Sequence, residues 1–143
     1  MNNIIRKFNI IDILIVSVLV LGILALFYKL VTGSTDKTEV FEFTYICDES
    51  PITLLDGIQE NENCVDADLG TELGTLLSVK TDILDENNTL GSAVIVTKTE
   101  GEASEHGIEV ENSIYLKGKK INLIIGNSVF EVYLSDIKNV SEG

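Results

Sequence analysis

Sixteen consecutive residues without a charge, Ile13 to Tyr28 (ILIVSVLVLGILALFY), constrain this chain more than any other feature. With Ile10, Ile11, Leu30 and Val31 the apolar stretch reaches about 20 residues. A helix of that length spans the roughly 30 Å of a bilayer's hydrocarbon core. In lipid there is no water for the backbone N–H and C=O groups, and a single segment satisfies them by becoming a helix. The reading is therefore a tail at residues 1–9, a transmembrane helix at 10–31, a linker at 32–38 and a folded domain at 39–143. A cleaved signal peptide is the competing reading, because Val31-Thr32-Gly33 before Ser34 loosely resembles a small-residue cleavage site. The apolar core is long for a signal sequence and Lys29 interrupts the approach to that site, so a retained anchor is expected.

Charge gives the orientation. Arg6 and Lys7 precede the apolar run, whereas Lys29 and Lys37 after it are diluted by Asp36, Glu39 and Glu42. The positive-inside rule then leaves the tail in the cytoplasm and puts the domain outside the cell membrane. Beyond residue 32 there are 22 acidic residues and seven lysines, a charge of about −15 within the chain's net −13. Such a surface repels a phosphate backbone and excludes nucleic acid as a partner. It serves solubility, and it also suits a cationic or carbohydrate ligand or divalent ions such as calcium.

Asn9 and Asp12 stand at the cytoplasmic edge of the helix, three residues apart and so on one face. One reading is a polar patch that docks the helix of another membrane protein. The other is a helix start, with Asn9 as cap and Asp12 near the positive end of the macrodipole.

The domain reads as mainly β. Val40 to Ile46 partly alternates and is rich in aromatic and β-branched residues, a strand signature. Ser50-Pro51 is expected to open a short helix, Ser as N-cap and Pro at its first position, with Ile52, Leu54, Leu55 and Ile58 turned inward. Strands follow at 64–67, 75–83 and 92–98, with a glycine-flanked turn at 69–74 and a polar loop at 85–91. Residues 99–107 read as an acidic, mobile loop. Short strands at 108–110 and 114–116 precede a hairpin in which 119–125 and 129–134 flank Gly126-Asn127-Ser128. Several short strands with one helix indicate a small β-barrel or a β-sandwich-like domain.

Cys47 and Cys64 are the only cysteines. Outside the cytoplasm they have the option of a disulfide. Closing a loop of about 17 residues would contribute about 3 kcal/mol in the chain-entropy model. As free thiols they would instead behave as small hydrophobes. They are too few for a zinc site even with His106, the sole histidine, which sits among Glu102, Glu105 and Glu109 and reads as solvated. The serines lack a nucleophile elbow, and no P-loop or dinucleotide fingerprint occurs. Asp85-x-Asn87-x-Thr89 has the spacing of the first ligands of a calcium loop, but Leu90 stands where glycine is needed and no glutamate closes the set. Asp66, Asp68 and Glu72 form another acidic group. No catalytic residue and no cofactor is expected.

Two stretches together resemble a known family. Lys7-Phe8-Asn9-Ile10-Ile11-Asp12, running straight into the apolar segment, is similar to the start of the bacterial family of unknown function DUF4330. Asp66 to Leu76, with Gly70 and Gly74, and the closing region Gly107 to Leu134 are similar to later parts of it. The strong acidity and the two cysteines depart from the family pattern. The resemblance implies an anchored envelope protein, associated in some members with surface-polysaccharide machinery. The combined expectation is a non-enzymatic, single-pass accessory protein of the bacterial cell envelope, in contact with the bilayer and with another membrane protein or an envelope polymer. The alternatives are an extracytoplasmic binding module for a cationic or carbohydrate ligand or calcium, and, more remotely, a cell-envelope enzyme.

Overall fold

In the computed structural model, residues 9–32 and 37–141 are described. Arg6, Lys7 and residues 33–36 of the linker lie outside them. The chain divides into two units, Met1–Asp36 and Lys37–Gly143. In the first, α1 (Ile10–Thr32) is a helix of 23 residues, about 34 Å long at the usual rise. It is apolar on every side, with none of its span buried against protein, and is long and apolar enough to cross a membrane. Ser17, the lone hydroxyl of its first half, donates back to the Ile13 carbonyl at 2.8 Å, so the side chain brings no unmet polar group.

The second unit is built from strands β1 (Glu39–Pro51), β2 (Asn63–Asp66), β3 (Glu72–Ile83), β4 (Leu90–Ser104), β5 (Gly107–Val110), β6 (Ser113–Tyr115), β7 (Lys120–Ile125) and β8 (Ser128–Asn139). A single turn of helix, α2 (Ile52–Asp56), follows β1. Every pairing is antiparallel. Strand order runs β1-β8-β7-β2-β3-β4, and β4 pairs with β1 again from Glu39↔Gly101 to Pro51↔Leu90, closing a six-stranded barrel. The far end of β4 continues into a short sheet with β5 and β6. Closure removes most sheet edges. Register shifts at Cys47/Ser50 in β1 and Leu76/Ser78 in β3 supply local bends in two of the longest strands.

Alternation explains the core. Phe41, Phe43, Tyr45 and Cys47 of β1 point inward, as do Ile121, Leu123 and Ile125 of β7 and Phe130, Val132 and Leu134 of β8. Phe43 packs edge-on to Tyr45 and tilted against Tyr115, with ring centroids 6.2 and 6.1 Å apart. Truncating such a buried ring to alanine typically destabilises by about 3–5 kcal/mol. Between β7 and β8 the loop is two residues, with Gly126 at φ 58° taking the left-handed first position that such tight hairpins demand.

Three expectations are corrected. The helix after β1 is shorter than read: Ser50 is a buried residue within the strand, Pro51 ends the strand and takes the cap position without a side-chain cap bond, and Leu54 is exposed while Leu55 is the buried residue. Residues 99–104 are not a loop but the outer half of β4. Its inward positions there are Thr97, Thr99 and Gly101, all buried yet not hydrophobic side chains, so the alternation has no apolar signal. Thr99 Oγ1 donates to the Leu73 carbonyl at 2.7 Å, which makes a buried hydroxyl acceptable there. Finally, β8 runs on to Asn139, five residues past Leu134, pairing with β1.

Candidate functional site

Asn9 and Asp12 do come together. The Asn9 N–H donates to Asp12 Oδ2 at 3.2 Å, and the Ile10 N–H donates to Asn9 Oδ1 at 3.1 Å. The Asp12 and Ile13 N–H groups both bond the Asn9 carbonyl. This is half of a capping box: the Asp12 carboxylate takes the Asn9 N–H, while the Asn9 amide oxygen takes the Ile10 N–H and the Asp12 N–H goes to the Asn9 main-chain carbonyl. Both side chains remain exposed, so the carboxylate keeps accepting capacity for a further donor.

Cys47 and Cys64 are buried free thiols, with no bond between them. The Cys47 thiol faces the Glu49 carbonyl and the Cys64 thiol the Glu62 carbonyl. Burial pushes Cys64 up to about 12, with the Glu62 carboxylate adding to the effect. Burial raises Cys47 as well. Thiols so protonated are poor nucleophiles.

A polar group is buried in the barrel at Asp66, 2% exposed. Its Oδ2 accepts from Tyr115 Oη at 2.8 Å and its Oδ1 from the Asp68 N–H at 3.0 Å. Burial and this bond to Asp66 raise the Tyr115 phenol, with the Thr71 hydroxyl opposing. Lys119 Nζ sits 4.2 Å from the centre of the Tyr115 ring and donates to the Ile114 carbonyl, covering the ring and the edge of β6. Tyr45 differs: its buried Oη makes no hydrogen bond, and the nearby Thr97 hydroxyl is bonded to Thr99 instead.

Among the described residues, no three His, Cys, Asp or Glu side chains are placed to hold a metal ion. Asp68 accepts from Asn122 Nδ2, apart from Asp66's partner. Asp85, the first position of the calcium-like loop, is used by its own turn: its carboxylate accepts from the Thr89 hydroxyl at 2.6 Å and from the Thr89 and Leu90 N–H groups at 2.9 Å each. His106 is exposed in the turn between β4 and β5, where its N–H bonds the Ser104 hydroxyl.

What sequence reasoning missed is a cleft of about 630 Å³ between the start of β3, the outer half of β4 and the β5–β6 turn. Glu72, Glu100, Glu102, Glu109 and Glu111 line it, with Lys98 as the one cation among the described residues that line it. Gly74, at φ 81°, makes the close approach possible, since a Cβ there would lie 1.9 Å from the Lys98 carbonyl oxygen. Glu102 stands directly across from Glu109 in the ladder. Glu111, at φ 47°, accepts from the Glu72 N–H at 3.2 Å. The signal was the alternation Lys98-x-Glu100-x-Glu102, hidden by the threonines and glycine between. No protein-family model, curated protein or solved structure matches the chain.

Proposed function

We propose that this chain is a non-enzymatic, single-pass accessory protein of a bacterial cell envelope, held by α1 with its N-terminus in the cytoplasm and its barrel outside. One observation carries the reading: α1 exposes large apolar side chains on all sides, from Ile10 to Val31, half to four-fifths exposed. Soluble proteins rarely expose contiguous apolar surface on that scale, and a bilayer covers it. Arg6 and Lys7 against the acidic domain support the orientation, and the resemblance to DUF4330 supports an envelope role. In this reading the Asn9–Asp12 pair at the cytoplasmic edge also serves as a docking point for another membrane protein. Chemical crosslinking in native membranes followed by co-purification tests this. Asp12→Leu should reduce recovery of the partner, and unchanged recovery would remove the docking role.

The cleft favours a second reading, a binding module for a cationic or carbohydrate ligand. Five glutamates, Glu72, Glu100, Glu102, Glu109 and Glu111, line it beside Lys98, and a cationic group entering the cleft meets that negative field. Calorimetry of the detergent-solubilised full chain against calcium, a polyamine and wall polymers is the test. Absence of heat and of a thermal shift with all three would rule it out.

A further inference from the structure

Beyond Leu76, β3 has a partner on one side alone. Its bonds to the β2 side end with Asn61 N–H to the Leu76 carbonyl and Leu76 N–H to the Glu62 carbonyl. After the register shift at Leu76/Ser78, residues 78–83 pair with β4, and no described strand pairs with them on the other side. The mouth of the hairpin tells which backbone groups are left. Leu84 N–H bonds the Leu90 carbonyl, so by the two-residue alternation Asp82 and Lys80 also turn their backbone groups to β4. Val79, Thr81 and Ile83 therefore direct theirs outward. Open edges of this kind recruit another strand. Ile83 and Leu84 beside it are 58% and 52% exposed.

We propose that this edge pairs with the same edge of a second copy of the chain, antiparallel, about a two-fold axis at Thr81. The residues themselves select that occupant. With Thr81 opposite Thr81, Val79 lies opposite Ile83 and Lys80 opposite Asp82, each of these twice by symmetry. The outward-facing residues Val79, Thr81 and Ile83 fall in the positions that exchange both N–H···O bonds. Lys80 and Asp82 fall in the intervening pairs, where Cα atoms approach to about 4.5 Å and side chains meet most closely. A lysine on an edge normally discourages pairing, but in this register it meets a carboxylate. A register shifted by two residues would lose both charge pairs and set Asp82 against Asp82 or Lys80 against Lys80. The interface is isologous and closes at two copies.

The test uses the purified full chain in liposomes, with one added cysteine and a short bifunctional maleimide. Cys47 and Cys64 are buried, so the unaltered chain should stay monomeric on the gel. Thr81→Cys puts two thiols across the axis, on Cα atoms about 5.5 Å apart, and should yield mostly dimer. Val129→Cys, 55% exposed on β8, should yield at least about tenfold less. Lys80→Asp in the Thr81→Cys chain sets like charges opposite each other twice and should lower the dimer yield about tenfold. Adding Asp82→Lys reverses both partners and should restore it. Equal yields from Thr81→Cys and Val129→Cys, no dimer from Thr81→Cys, or no recovery in the charge-reversed double variant would each overturn the proposal. In native membranes, a Thr81→Cys adduct of a mass other than twice the chain would show a foreign strand on the edge, overturning self-pairing.

Discussion

Replacing Tyr115 by Phe isolates one hydrogen bond in the barrel. The ring is fully buried, packed against Phe43 and covered by Lys119, and Phe keeps those contacts. What is lost is the 2.8 Å bond from Oη to the buried Asp66 carboxylate. A hydrogen bond to a charged acceptor contributes about 1.5–3 kcal/mol, and a buried carboxylate left short of a donor sits at the upper end. For a domain of this size about 3 kcal/mol lowers Tm by about 13 °C. Tyr45→Phe is the internal control, because it removes the same atom from an equally buried ring whose Oη has no hydrogen bond. That change should shift stability by less than about 0.5 kcal/mol or raise it. Thermal unfolding of the full chain in detergent, followed by circular dichroism, measures both. Equal losses from the two variants would refute the reasoning, since hydroxyl partnering would then not decide the effect.

Other predictions concern pH, thiols and backbone. The Thr89 hydroxyl and the Leu90 and Thr89 N–H groups hold Asp85 below the usual carboxylate value. Its stabilisation is therefore complete above about pH 4–5 and is lost as pH falls through the lowered value. Wild-type Tm should drop more steeply on acidification than that of Asp85→Asn, and parallel curves would refute its role in holding the turn. With Cys64 pushed up to about 12, its thiolate fraction at pH 8 is about a thousandfold below that of a free thiol. Native alkylation read by mass spectrometry should lag the denatured rate by at least that factor. Gly74→Ala forces a Cβ against the Lys98 carbonyl at φ 81°, and should destabilise the barrel by more than about 3 kcal/mol, measured by urea unfolding.

Legibility in the sequence followed where side chains report the side they face. The β7–β8 hairpin was readable because Ile121, Leu123 and Ile125, then Phe130, Val132 and Leu134, alternate around a glycine turn. The outer half of β4 was not, because Thr97, Thr99 and Gly101 face inward and their burial rests on hydrogen bonds and close backbone approach instead of hydrophobicity. The cleft went unseen for the same reason: its glutamates were assigned to a loop. Asn9 and Asp12 were readable as one face of a helix because their relation is local. Closure of β4 onto β1 joins residues up to about 60 positions apart, and no local pattern announces it.

Membrane topology is the most direct test of the anchored reading. Single cysteines at Asn2 and at Val129, in a chain whose own thiols are buried, can be probed in intact cells with a membrane-impermeant maleimide. The expected result is labelling of Val129→Cys from outside and of Asn2→Cys after permeabilisation alone, with both chains in the membrane fraction. Labelling of Asn2→Cys in intact cells, or recovery of a shortened chain in the soluble fraction, would contradict it.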